Sequence, residues 1–343
     1  CTVGVQPRMT ALRRKIGYRS GPYYFKRRVV IGNSVRLSRL GLAHRMTSIL
    51  YLLFFCSGLS GLIYQVVWVR VFGNVFGNTI YSASMVVAIF MLGLGIGSYV
   101  VGAWADRRYL GQPESLVRTY GHFELLIGLM GLGVSALLPH LGRLSALVSS
   151  YSRDAGGWYV LSTTSYLARG GIAILLLTPI TMLMGGTLTL LIRHLVRSDL
   201  EIGGWRIALL YGVNTAGAAL GCFLTDFSLV PAAGLQAAQA VAVFFNFVAA
   251  LGALWLARIS AGSRLWAVGS GRKTEDKAQS LKPKALSLTA TSVPLTGFAL
   301  GLSGFAAMGM EIVWFRHFTI LLGVFSAVYS LLLTVILIGI GAG

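Results

Sequence analysis

The feature that most constrains this chain is a succession of eight apolar runs, at about 48–70, 80–104, 119–139, 166–192, 207–230, 235–257, 293–315 and 322–343. Each holds at most one Asp, Glu, Lys or Arg. A helix needs roughly twenty residues to cross about 30 Å of hydrocarbon, so every run is long enough to span a bilayer. Strands leave backbone groups unpaired in lipid unless they close into a barrel, and these runs lack strand alternation. The predicted fold class is therefore all-α, a polytopic transmembrane helical bundle of about eight helices. With 55% hydrophobic and 11% charged residues and a mean hydropathy of +0.74, the chain has too little polar surface to clothe a soluble core. Its 43 glycines suit close approach between helices in lipid.

Charge sets the expected orientation. Eleven Lys/Arg precede the first run, and no acid occurs before Asp106. Basic segments stay on the cytoplasmic side, so residues 1–46 read as a basic cytoplasmic arm. Alternation from there places 24 of the 29 Lys/Arg inside, leaving Arg70, Arg143, Arg153, Arg169 and Arg316 at or near the outer side. A net charge of +19 would suggest nucleic acid in a soluble protein. Beside membrane spans it is explained by anionic inner-leaflet lipid, which attracts each Lys or Arg by about 1 kcal/mol. The expected partners are thus the lipid bilayer and anionic lipids at the arm, with a larger membrane complex as an alternative docking partner for it and no nucleic acid. The expected location is a bacterial inner membrane, multi-pass, with the N-terminus cytoplasmic. Residues 47–257 form a six-helix transmembrane bundle, the polar Gly/Ser/Lys-rich stretch 258–291 a cytoplasmic linker, and 292–343 two further helices. Cys1, with no initiator Met, suggests a chain that starts internally.

An internal repeat refines this plan. G-L-S-G occurs at 58–61 and 301–304, and Trp68 and Trp314 lie 246 residues apart. At that spacing Gln65 meets Glu311, Arg70 meets Arg316, Gly77 meets Gly323, and Gly93, Gly95 and Gly97 meet Gly339, Gly341 and Gly343. An even number of intervening runs sends both copies the same way through the membrane. Parallel six-helix repeats are the plan of major facilitator transporters, so 292–343 reads as the first two helices of a second repeat, cut off at Gly343. The segment GAWADRR at 102–108 resembles the facilitator loop Gly-x-Leu-Ala-Asp-Arg-x-Gly-Arg, with Trp104 in place of Leu and with Tyr109 and Leu110 where the later Gly and Arg belong. The resemblance implies that Asp106 and Arg107 steady one state of the bundle; a plain positive-inside anchor is the alternative. More narrowly, residues 57–107, 179–193 (PITMLMGGTLTLLIR) and 211–227 (YGVNTAGAALGCFLTDF) resemble bacterial proteins that fuse a major-facilitator-like bundle to a spermidine-synthase-like domain. In that family a cytosolic synthase-like domain follows the bundle, and such a domain has no counterpart here. The resemblance therefore implies a membrane module and no enzyme.

Candidate residues follow from cost. Glu124 lies among leucines, where a carboxylate must be paired, protonated or wetted; His122, two residues away, is on another face. Asn214 and Asn246 are mid-run amides suited to bonds between helices or to a solute. Gln65, Arg70, Glu311 and Arg316 place polar groups near the outer ends of two helices that face each other in a facilitator bundle. A pair such as Arg70 with Glu311 would close a gate, and interfacial anchoring by Trp68 and Arg70 is the alternative. Gly93, Gly95 and Gly97, and the pair Gly217 and Gly221, are expected at helix contacts. GLGIGS at 93–98 follows a membrane helix rather than a strand, so it is not a dinucleotide fingerprint. No catalytic residue, metal site or cofactor is expected, because the five His show no ligand spacing and no nucleophile has a base nearby in sequence.

Three functional expectations stand at this point: an inner-membrane module handling a small polyamine-like solute, a structural or accessory subunit of a larger membrane complex, and an autonomous secondary transporter. All depend on orientation. Protease added outside sealed cells is expected to spare the 270s, and cleavage there would overturn the topology.

Overall fold

The computed structural model describes residues 23–77, 79–109, 115–195, 200–269, 292–323 and 325–342. The expectations placed on residues 1–22 of the arm, on 270–291 of the linker, on Leu110 and on Gly343 lie outside the described residues. The chain divides into two units, Cys1–Ser48 and Ile49–Gly343. Of the first, helical backbone is described from Tyr23 onward.

The helices among the described residues are α1 (Tyr23–Phe76), α2 (Thr79–Tyr109), α3 (Ser115–Leu137), α4 (Leu141–Leu147), α5 (Thr163–Leu195), α6 (Leu200–Leu224), α7 (Val230–Gly269), α8 (Ser292–Leu322) and α9 (Phe325–Ala342). A 3-10 turn, Leu138–His140, joins α3 to α4, and a π-helical turn, Thr225–Leu229, joins α6 to α7. Six stretches are long and apolar enough to cross a membrane by length and composition: Arg45–Phe76, Ile80–Arg107, Ser115–Leu147, Thr163–Leu195, Gly204–Ser260 and Leu295–Leu322; a shorter apolar helix, Ala327–Ala342, follows. The stretch Gly204–Ser260 contains two of the predicted runs, and its backbone leaves helical geometry between them at Gly234, where φ is 83°. The fold is consistent with the all-α expectation, and its long apolar helices are compatible with a membrane protein.

One piece of β-structure was not anticipated. Strands β1 (Tyr151–Arg153) and β2 (Tyr159–Leu161) form an antiparallel hairpin between α4 and α5. The Asp154 carboxylate accepts from the Trp158 N–H at 2.8 Å, and Gly157 supplies a positive φ of 78°. The Arg153 guanidinium lies 4.9 Å over the Tyr159 ring.

The core is built around the C-terminal half of α1. Ile63, Tyr64, Val66, Val67 and Trp68 are all fully buried. With Gln65 and Val69, each 1% exposed, they take in every side of a helix, so this part of α1 is enclosed rather than resting on one face. On the surrounding helices large apolar side chains point outward, among them Leu92, Tyr99, Leu167, Leu175 and Leu251. Such a surface is costly in water and natural against lipid.

Small residues bring the neighbours in. A Cβ on Gly217 or Gly221 of α6 would strike the Phe55 or Leu59 carbonyl of α1. Between α2 and α5, a Cβ on Gly97 would strike the Met182 carbonyl and one on Gly93 the Thr181 hydroxyl; Gly95, between them, faces open space. Ser98 donates to the Gly185 carbonyl at 2.9 Å across the same contact.

The residues spaced 246 apart in the sequence share a turn. α1 ends at Phe76 and α8 at Leu322, and each is followed by a left-handed glycine, Gly77 with φ 84° and Gly323 with φ 71°. Both glycine amides return to a carbonyl of the last turn, Gly73 at 3.1 Å and Thr319 at 3.0 Å, a helix stop that a residue with a Cβ strains. Arg169 adds a second cap on α1, donating to the Phe76 carbonyl at 3.0 Å. Arg206 does the same for α5 at Leu195, also at 3.0 Å.

The α2–α5 contact yields a paired prediction. Gly97→Ala forces the helices apart and is expected to cost about 1–3 kcal/mol. Gly95→Ala meets nothing and gains helix propensity, so it is expected to be neutral or stabilising. Unfolding in detergent measures both, and equal effects would contradict the packing.

Candidate functional site

A cavity of about 260 Å³ lies among α1, α2, α5, α6 and α9. Its apolar lining comes from Phe54, Phe90, Met91, Leu94, Met184, Leu188, Leu333 and Leu337. The polar lining comes from Ser57 and Gln65 on α1, Ser98 on α2, Thr187 on α5, and Tyr211, Asn214 and Thr215 on α6. All of these are neutral hydroxyls and amides that can both give and receive hydrogen bonds. Gly61 leaves space open, whereas Gly58 and Gly185 sit against the Asn214 and Leu94 carbonyls and bring the helices together at the edge of the cavity. An apolar cleft with a few convergent polar groups is the usual form of a small-molecule site.

Two separately predicted residues meet behind this cavity. Glu124, on α3, is 0% exposed. Its Oε2 accepts from the Asn246 side-chain amide of α7 at 2.7 Å, and its Oε1 accepts from the Ser57 hydroxyl at 2.5 Å. Ser57 also lines the cavity, so a single hydroxyl separates the carboxylate from the open space. Of the ways the sequence left open for Glu124, paired, protonated or wetted, the neighbouring helices supply hydrogen-bonding side chains, and Ser57 carried no sequence signal beyond preceding the G-L-S-G at 58–61.

Toward the other end of α1, Arg70 pairs with Asp226 at 2.5 Å, with the Asp226 side chain fully buried. Ser330 of α9 donates to the second Asp226 oxygen, and Cys222 donates to the Ser330 carbonyl at 3.4 Å. Asp226 sits in the π-helical turn, a local widening that re-aims its side chain and occurs often at functional positions. Gln65 donates to the Tyr329 hydroxyl at 3.1 Å, a second tie between α1 and α9. The structure thus brings Arg70 to Asp226 rather than to Glu311. Glu311, on α8, lines a small recess with Ala83, Ser84 and Tyr329 and forms no ion pair among the described residues. Arg316 is exposed. Trp68 is fully buried and stacked on Tyr64, with ring centroids 5.2 Å apart, so it is no interfacial anchor.

At the opposite end of the bundle Asp106 forms an ion pair with Arg193 of α5, and Arg107 is exposed. Among the described residues no group of three His, Cys, Asp or Glu is placed to hold a metal ion.

No family model matches this chain, and no solved structure does either. It is 28% identical over 195 residues to a polyamine aminopropyltransferase of Corynebacterium efficiens, a match covering 56% of this chain and 32% of the relative. The chain therefore spans about a third of the length of the curated relative it matches. This weak homology supports a spermidine-synthase-like relationship and corrects one expectation. The chain was expected to be a membrane module and no enzyme because the synthase-like domain of the family it resembles has no counterpart in it, whereas similarity across 56% of the chain to an aminopropyltransferase points to an enzyme rather than a non-enzyme.

The Arg70–Asp226 pair makes a direct prediction. Losing one partner of a buried ion pair leaves the other uncompensated, at a cost of about 3–5 kcal/mol. Arg70→Leu is expected to lower stability by that order and Arg70→Leu with Asp226→Asn to recover most of it. Additive losses in thermal unfolding would contradict the pairing.

Proposed function

We propose that this chain is the membrane-embedded part of a polyamine-related enzyme of the aminopropyltransferase kind, and that the cavity among α1, α2, α5, α6 and α9 handles a small polyamine-like solute. The observation that carries this reading is the similarity to a polyamine aminopropyltransferase in a chain made of long apolar helices. The cavity suits it chemically: hydroxyls and amides receive ammonium N–H groups, and the apolar lining receives the methylenes between them.

The finer parts of the reading belong to the same proposal. Gly204–Ser260 crosses the bilayer twice, turning near Gly234, and Ala327–Ala342 crosses once, making eight spans in an inner membrane with the arm inside. The plan is major-facilitator-like, a six-helix bundle followed by the first pair of a second one. Supporting this, α8 and α9 repeat the helix stop of α1 and α2 at the 246-residue spacing, and α9 lies against the first bundle through Tyr329 and Ser330. Asp106 with Arg193 and Arg70 with Asp226 then hold the two ends of the bundle.

The test is binding. Membranes containing the protein are expected to bind labelled putrescine saturably. Gly61→Leu, which projects into the cavity, is expected to weaken that binding at least about tenfold, a loss of roughly 1.4 kcal/mol. Equal binding by the variant, or none by the parent protein, would contradict the reading.

A further inference from the structure

We propose that Glu124 is a proton-exchange site for the cavity: it holds a proton when the cavity is empty and gives it up when an alkylammonium group binds beside Ser57. The inference rests on the cavity reading above and adds a residue, a charge balance and a stoichiometry.

Three observations carry it. Glu124 is 0% exposed, yet among the described residues no Lys, Arg or His forms an ion pair with it. An isolated carboxylate charge buried in this way is costly, so a proton or a cation must offset it. The side chains that hold it suit both forms. Toward the carboxylate, Ser57 and Asn246 are donors; toward the acid, the Ser57 oxygen can accept, and the Asn246 Oδ1, which has no partner, can accept after the amide turns over. Ser57 also faces the cavity, so a bound ammonium that takes its oxygen as acceptor lies one hydroxyl away from the carboxylate. The titratable groups beside Glu124 are Tyr120 on its own helix and Cys56 and Tyr64 on α1; α7 presents the neutral Asn246.

The exchange balances. One ammonium group arrives beside Ser57 with charge +1, the Glu124 O–H bond breaks and one proton leaves to water, so that ammonium is neutralised by the carboxylate, while the second ammonium of a diamine such as putrescine keeps its own charge. Linkage gives the sign: if binding releases one proton, affinity rises about tenfold per pH unit while Glu124 is protonated in the empty protein.

The experiment uses the full chain in lipid nanodiscs. Infrared difference spectra follow the carboxylic C=O stretch as pH is raised and as putrescine is added, while calorimetry in two buffers of different ionisation enthalpy counts protons released. In the parent protein the acid band is expected to be lost on putrescine binding, with close to one proton released. Glu124→Gln keeps the shape and the hydrogen bonds; it is expected to lack the band, release no proton and bind with no pH dependence. Ser57→Ala, which leaves the acid in place, is expected to keep the band without putrescine and to uncouple it from binding. Putrescine binding with the same pH dependence in Glu124→Gln would overturn the exchange and leave the cavity reading intact. An acid band with no putrescine binding would overturn the cavity reading and the exchange with it.

Discussion

Everything in this bundle depends on how closely α6 lies against α1. Gly217 and Gly221 put the α6 backbone against the Phe55 and Leu59 carbonyls, a separation that no side chain with a Cβ permits. The hydrophobic effect cannot hold helices together in lipid, because the tails are as apolar as leucine; packing and hydrogen bonds must do so. Glycine admits the approach, and the polar residues of α1 make it specific. Ser57, Gln65 and Arg70 each reach a different partner: Glu124 on α3, Tyr329 on α9 and Asp226 in the π-helical turn after α6. α1 is thus the axle to which the other elements are pinned.

The cavity follows from the same geometry. α1 and α6 touch from Phe55 to Leu59, with Gly58 against the Asn214 carbonyl, and beside that contact Ser57, Gly61, Asn214 and Thr215 line the cavity. α9 closes one side with Leu333 and Leu337 and is tied in through Tyr329 and Ser330. Because α9 forms part of the cavity wall, movement of α9 would change access to it. The two ties of α9, at Gln65 and at Asp226, both lie toward the Arg70 end of α1.

Much of this was legible in the sequence, residue by residue. The apolar runs mark the long helices, and the spacing between Trp68 and Trp314 aligns Gly77 with Gly323, though not the helix stop that both turn out to make. Glu124 and Asn246 stand out because polar groups in apolar runs are costly. Their meeting was not legible, since choosing which helix faces which is a matter of tertiary packing rather than of any local pattern. Asp226 was overlooked as a partner for Arg70 because the π-helical turn that aims it leaves no mark in composition. The hairpin at 151–161 did have a signal, the turn-forming Asp-Ala-Gly-Gly at 154–157 between Tyr-Ser-Arg and Tyr-Val-Leu, but it is short beside the helical runs. The spermidine-synthase-like resemblance was legible in residues 57–107, 179–193 and 211–227, but the step from a missing synthase-like domain to no enzyme was not sound, because the similarity to an aminopropyltransferase extends over 56% of this chain.

The most direct measurement is a disulfide between α6 and α9. A Cβ at Gly341 would lie 3.8 Å from the Thr215 Cβ, the separation that a disulfide requires. With the native cysteines replaced by serine, Thr215→Cys with Gly341→Cys is expected to oxidise within one chain in native membranes and to run as a compact, reducible monomer. No bond, or bonds only between chains, would mean that α9 does not cover the cavity and that the site described here is not the one the protein builds.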